Sequence, residues 1–148
     1  MPPNITPDFE HGIGGWTPED LGRALREGIS PDGEPYYPAF PFEFYAGFSD
    51  QDIADLWAAL ASVPPVAETR AESDVAFPFS IRAGLKPGRA TALREAETAP
   101  VLGRSEEWNR GRELVDGAAH CGACHTGRGL LGGLDARPFG GNDDLPGG

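Results

Sequence analysis

Both cysteines of this 148-residue chain lie in one pentapeptide, Cys121–His125, where two residues separate the thiols and a histidine follows the second. This spacing is typical of the covalent attachment site of a c-type haem. Two thiols within one helical turn match the two vinyl groups of the haem, and the next histidine becomes an axial ligand of the iron. The motif therefore predicts haem c bound by Cys121, Cys124 and His125.

A Cys-x-x-Cys pair also occurs in redox dithiols and in halves of zinc sites. A structural zinc site usually has four protein ligands, so here it would need both His120 and His125, or the distant His11. Neither choice has the usual ligand spacing, and a disulfide closing so short a loop would stabilise the fold little. A thiol-redox or metal-binding module that uses Cys121 and Cys124 stays an open alternative.

Three segments carry helix signals and no segment has the alternating pattern of a strand. Thr17 is a suitable N-cap before a proline, and Gly28 is a suitable end for the helix that follows. Ser49 precedes an apolar stripe formed by Ile53, Leu56, Trp57 and Leu60, and a Pro-Pro pair ends it. We expect helices over about 18–27, 50–62 and 105–118.

The composition favours long loops between these helices. The chain has 21 glycines and 15 prolines, more than closely packed helices usually contain. Residues 66–104 show little periodicity and contain three prolines, which is typical of a linker. The two aromatic rings of the Phe-Pro-Phe at 77–79 are expected to cover apolar surface close to them in the fold. These features predict an all-α, loop-rich fold.

The haem motif and its flanks closely resemble the start of a domain in the multihaem cytochrome c subunits of bacterial membrane-bound dehydrogenases. The flanks are Arg-Gly-Arg-Glu-Leu-Val-Asp-Gly at 110–117, His120, and Thr-Gly-Arg-Gly-Leu-Leu-Gly-Gly at 126–133. Gly127 occupies a position where the family often has proline, so we expect a more flexible turn there.

An earlier stretch resembles the distal half of such a domain, which normally follows its haem motif. The likeness rests on Asn-Ile-Thr-Pro-Asp at 4–8, Gly-Ile-Gly-Gly-Trp at 12–16, Ser-Pro-Asp-Gly at 30–33, Tyr-Pro-Ala-Phe-Pro at 37–41, and 49–65. The resemblance thus implies incomplete, cytochrome c-like domains. Residues 1–65 would be a distal half without its haem motif, 66–104 a linker, and 105–148 the first half of a second domain.

The order of the two halves leaves two arrangements open. The favoured one is docking of separate, partly disordered halves. In the other, the helix near 50–62 crosses the helix near 105–118 in a permuted domain, with Trp57 and Leu60 packed near Gly111 and Val115.

The position of a sixth iron ligand is the main departure from the family pattern. Related cytochromes often have methionine at the sites that Phe40 and Phe48 occupy here, and Met1 is the only methionine of the chain. His11 and His120 remain, but His120 is expected on the same side as His125 because it precedes Cys121. The sequence therefore predicts one firm iron ligand and no sixth.

The excess negative charge lies in residues 1–74, and it argues against a nucleic-acid partner. Residues 1–74 contain 14 acidic and 3 basic side chains, whereas 75–148 contain 9 of each. We recognise neither a signal peptide nor a membrane-spanning stretch, so export, and any membrane association, would depend on a segment outside this sequence.

The resemblance implies an electron-transfer subunit without catalytic residues of its own. It would relay single electrons from a dehydrogenase catalytic subunit to a downstream acceptor in the respiratory chain. Its place would be the periplasm or the periplasmic face of the inner membrane. A non-functional remnant is the remaining alternative.

Overall fold

A computed structural model describes residues 3–37, 40–68, 99–129, 134 and 137–142. Within these ranges the chain is helical and rich in loops, and extended residues are joined only by isolated β-bridges. The predicted helical, loop-rich character is confirmed there. The helices are α1 (Pro18–Glu27), α2 (Phe42–Tyr45), α3 (Asp50–Ala61), α4 (Glu106–Glu113) and α5 (Cys121–His125), with a π-helical segment at Leu114–Ala118.

Helix α1 has the bounds that its sequence signals predict. The hydroxyl of Thr17 accepts a hydrogen bond from the N–H of Asp20, and the Asp20 carboxylate accepts one from the N–H of Thr17. This reciprocal cap satisfies two N–H groups that the first helical turn leaves free. Gly28 ends the helix at φ 63°, and its N–H donates to the carbonyl of Ala24.

Helix α3 starts with the same kind of cap, formed by Ser49 and Asp52. The hydrogen bonds that Ser49 donates hold the pKa of the Asp52 carboxyl below its usual range, and the charges of Arg110 and Arg26 act in the same direction. The helix ends at Ala61, one residue before the predicted end, with Ser62 as its C-cap.

The predicted helix over 105–118 changes its geometry part-way. Helix α4 begins after Ser105, whose hydroxyl accepts from the N–H of Trp108, and it continues into the π-helical segment from Leu114. Gly117 leaves the helical region at φ −114° and ψ −105°, so the regular hydrogen-bond pattern ends there. The prediction of one continuous helix is corrected to an α-helix followed by a π turn.

The buried core of the described residues lies where α1 meets α2 and α3. Leu21 and Ala24 project from α1 into this core, and the ring of Phe42 is 1% exposed. Burial of each large apolar side chain stabilises the fold by about 1.5–3 kcal/mol. The remaining core residues are Ile13, Phe44 and Ile53.

Trp57 and Leu60 line an open apolar groove of about 130 Å³ together with residues of the N-terminal loop, such as Phe9. A Cβ atom on Gly111 would have no neighbour within 4 Å, so α3 does not cover that face of α4. The permuted arrangement, with Trp57 and Leu60 packed near Gly111 and Val115, stays a prediction. Among the described helices, α2 packs on the π-helical segment at Leu114–Ala118.

Residues 69–98, most of the predicted linker, lie outside the described residues, as does the Phe-Pro-Phe at 77–79. The proposed boundaries between halves and linker stay predictions.

Candidate functional site

The Cys-x-x-Cys-His motif forms one short helix, α5. Its N-cap is His120, whose carbonyl accepts a hydrogen bond from the N–H of Ala123 at 2.9 Å. At the other end, the N–H of Thr126 donates to the carbonyl of Gly122 at 3.1 Å. The sequence therefore places both thiols and the following imidazole within a single helical turn, as the motif predicts.

The side chains of this turn differ in their exposure. Cys124 and His125 are exposed, Cys121 is half-buried, and Gly122 is buried against the protein. Both thiols are free. Two thiols and one imidazole are therefore accessible on one turn, which is the donor set that a covalently attached haem needs.

Helix α2 of the first segment packs against this turn. The ring of Phe44 is close to Gly122, since a Cβ atom there would lie 3.3 Å from Cε1 of Phe44. Phe44 and Tyr45 also contact the imidazole of His120 edge-on, with ring centroids 6.3 and 6.1 Å away. Burial raises the pKa of the Tyr45 phenol. The sequence did not indicate this contact, because α2 is too short for a periodic pattern.

The chain after the motif turns back towards it. Thr126 is 2% exposed, and its hydroxyl accepts a hydrogen bond from the N–H of Phe139 at 3.0 Å. The N–H of Gly141 donates to the carbonyl of His125 at 3.0 Å. These bonds fix the C-terminal end of the turn. Thr126 lies in the flank that resembles the family, but the sequence did not predict that its hydroxyl holds the following loop.

Phe40 and Phe48, at the positions where relatives often have methionine, both pack on Tyr45. Their ring centroids lie 5.6 and 5.4 Å from that of Tyr45. Neither side chain has an atom that can bind iron. They form an aromatic cluster next to the His120 contact and provide no sixth ligand.

His11 is held inside the N-terminal loop. Its Nδ1 atom lies 3.3 Å from Oδ1 of Asp8, without the alignment of a hydrogen bond. The backbone N–H of His11 donates to the same carboxylate at 2.7 Å and, with the N–H of Glu10, holds the pKa of Asp8 below its usual range. His11 thus contacts Asp8 of its own loop.

The thiols and histidines do not gather into a metal site in the part of the chain that the structure describes. No group of three or more His, Cys, Asp or Glu side chains there could hold a metal ion. The zinc alternative thus has no geometric support among these residues. None of the described helices has the length and apolar character needed to cross a bilayer.

Comparison with known proteins gives the chain close relatives, although no protein-family profile matches it. It is 47% identical over 135 residues to a diheme c-type cytochrome of Cereibacter sphaeroides. It is 45% identical over 129 residues to one of the subunits of nicotinate dehydrogenase from Pseudomonas putida. It is 43% identical over 132 residues to the cytochrome subunit of fructose dehydrogenase from Gluconobacter japonicus.

These matches cover 88%, 87% and 86% of this chain, but only 44%, 11% and 27% of the respective relatives. The chain therefore corresponds to a part of each of them. Over most of its length the chain is similar to a diheme c-type cytochrome and to cytochrome subunits of bacterial dehydrogenases.

Proposed function

We propose that this chain is part of an electron-transfer cytochrome, with haem c attached through Cys121 and Cys124 and with His125 as an axial iron ligand. The observation that carries the proposal is the pair of free thiols beside an exposed imidazole on one turn. The cytochrome relatives imply covalently bound haem c, with its iron, as the cofactor. When bound, haem c supplies one-electron redox chemistry.

The described residues fit this cofactor. Cys124 and His125 project to the outside of α5, and the buried face of the turn is the glycine face that packs on Phe44. A prosthetic group can thus bind the exposed side without displacing the helix from the protein. Cys121 and Cys124 would hold the group by thioether bonds, and His125 would hold the iron.

We extend the proposal to domains and partners on the same basis. Residues 1–65 would belong to one cytochrome c domain, 66–104 to a linker, and 105–148 to the start of the next domain. The relatives include cytochrome subunits of fructose, alcohol and gluconate dehydrogenases. The chain would accept electrons from a dehydrogenase catalytic subunit and pass them towards the respiratory chain, on the periplasmic side of the inner membrane.

The test is haem attachment to the full chain. The chain is exported to the periplasm of a bacterium that expresses the haem-attachment proteins, and its intact mass is measured. We expect the mass of one haem to be added, and the Cys121→Ala, Cys124→Ala double variant to stay unmodified. His11→Ala is the matched control, because it replaces an imidazole outside the motif and should keep the haem.

An unmodified wild-type chain under these conditions would contradict the proposal. The same sample tests the thiol-redox alternative. A functional dithiol would show no haem absorbance, and alkylation of its thiols would block its function.

A further inference from the structure

His120 has a backbone conformation that is uncommon for a residue with a side chain. It lies in the left-handed region at φ 38° and ψ 39°, directly before Cys121. Non-glycine residues adopt this region rarely, and the surrounding structure must then stabilise it. Helix α5 depends on this residue, because the His120 carbonyl accepts the hydrogen bond of Ala123.

The His120 N–H donates to the carbonyl of Gly117 at 2.7 Å, and the contacts of its imidazole come from helix α2. The imidazole meets the edges of Phe44 and Tyr45 at interplanar angles of 64° and 88°. Edge-to-face contacts of this kind are favourable beyond the area that they bury. Phe44 is 8% exposed, so its ring is fixed by the core as well as by this contact.

Two glycines let α2 approach this closely. A Cβ atom on Gly122 would lie 3.3 Å from Cε1 of Phe44, and a Cβ atom on Gly117 would lie 3.3 Å from the Phe44 carbonyl oxygen. Phe44 therefore contacts the chain on both sides of His120. A rigid aromatic residue of one segment thus braces the turn that carries the thiols of the other.

We propose that Phe44 and Tyr45 are positioning residues for the haem-attachment turn: they hold His120 in its left-handed conformation and keep α5 formed before any haem is attached. The description of this turn as a haem site rests on the proposed function, whereas the packing does not. Residues 121–125 then keep Cys121 and Cys124 one helical turn apart without help from the cofactor.

The test measures amide hydrogen exchange by NMR on the haem-free full chain. The N–H of Ala123 reports on the turn, because it donates to His120, and the N–H of Ile53 reports on α3. Tyr45→Ala should speed exchange at Ala123 about 2- to 12-fold, the fold-change that corresponds to one lost aromatic pair. Exchange at Ile53 should stay unchanged.

Two variants serve as controls. Tyr45→Phe keeps the ring and should restore slow exchange at Ala123. Phe9→Ala removes an aromatic ring that is 84% exposed and should leave the exchange rates of both the Ala123 and the Ile53 amides unchanged.

The role of Phe44 is tested with Phe44→Leu rather than with Phe44→Ala, because leucine keeps buried apolar volume and avoids unfolding the core.

A double-mutant cycle with His120→Gly tests the mechanism. Glycine adopts positive φ without cost, so the turn no longer needs the aromatic brace. In that background, Tyr45→Ala should change exchange at Ala123 by less than about twofold, in contrast to its effect in the wild-type chain.

Equal effects of Tyr45→Ala with and without His120 would overturn the proposal, as would slow exchange at Ala123 in both Tyr45→Ala and Phe44→Leu. These results are independent of the haem-attachment experiment. A chain that takes up no haem but shows the predicted exchange would refute the proposed function and support the positioning role.

Discussion

Gly28 packs directly against Phe42, so that a Cβ atom on Gly28 would lie 2.6 Å from the Cδ1 atom of that ring. Gly28 is also the left-handed residue that ends α1, at φ 63°. The substitution Gly28→Ala should lower the free energy of unfolding by about 2–5 kcal/mol. This range combines about 1–2 kcal/mol for a left-handed alanine and about 1–3 kcal/mol for overpacking. Urea denaturation followed by circular dichroism measures it.

Gly33→Ala is the matched control for this prediction. Gly33 has φ 85°, but an added Cβ atom there meets nothing within 4 Å. Gly33→Ala should therefore lower the free energy of unfolding only by the cost of a left-handed alanine, about 1–2 kcal/mol. Equal losses of unfolding free energy in Gly28→Ala and Gly33→Ala would show that the clash of the added methyl group with Phe42 contributes nothing.

Arg26 joins α1 to the start of α3 by two hydrogen bonds. Its Nε atom donates to the carbonyl of Phe48 at 2.8 Å, and its guanidinium also donates to Asp50 at 2.7 Å. Because the Asp50 side chain is 98% exposed, the ion pair should contribute less than about 1 kcal/mol. Arg26→Ala should cost about 1–3 kcal/mol in unfolding free energy, mainly through Phe48, and Asp50→Ala should cost much less. If Asp50→Ala lowered the free energy of unfolding more than Arg26→Ala does, the ion pair rather than the bond to Phe48 would carry the stabilisation.

The caps of α1 and α3 should make the first segment sensitive to acid. Hydrogen bonds from Thr17 and Ser49 hold the pKa values of Asp20 and Asp52 below the usual 3.8. Because the folded pKa is the lower one, the stabilisation is complete above about pH 4 and is lost as the pH falls through the folded pKa. The melting temperature measured from pH 6 to pH 2 should therefore fall most steeply below about pH 4.

The Asp20→Asn, Asp52→Asn double variant should have a flatter melting profile over this acid range. Asp55→Asn is the control, since the Asp55 carboxylate accepts from Gln51 within α3 and forms no cap. A double variant as acid-sensitive as the wild type would show that the caps do not carry the effect.

Haem attached at Cys121–His125 should leave the iron open to small ligands. Phe40 and Phe48 have no donor atom and pack on Tyr45. The reduced, haem-loaded chain should therefore bind CO readily, as seen by a shift of its Soret band. His11→Ala should bind CO equally well. Failure to bind CO, with the spectrum of a methionine-ligated iron, would show that another ligand is present.

The bounds of α1 could be predicted from the sequence because they depend on neighbours in the chain. Thr17 and Gly28 act through backbone groups within one turn of their own positions. The same holds for the start of α3 at Ser49. The pentapeptide likewise predicts its own helical turn, since both thiols and the imidazole lie within five residues.

The π-helical segment and α2 could not be predicted in this way. The apolar pattern over 105–118 fits a continuous helix, whereas the observed helix changes to π geometry at Leu114 and leaves the helical region at Gly117. Helix α2 has only four residues, too few for a 3.6-residue period. It forms where Phe42 and Phe44 are buried by other elements.

The sequence by itself determined that Cys121, Cys124 and His125 lie together on one short helix, because spacing within one turn is a local property. Only the tertiary structure decided which residues surround that turn. Phe44 and His120 are far apart in the chain, and their contact depends on how α2 packs on the π-helical segment. Packing between distant segments follows from the shape and burial of whole elements, which no local pattern of residues encodes.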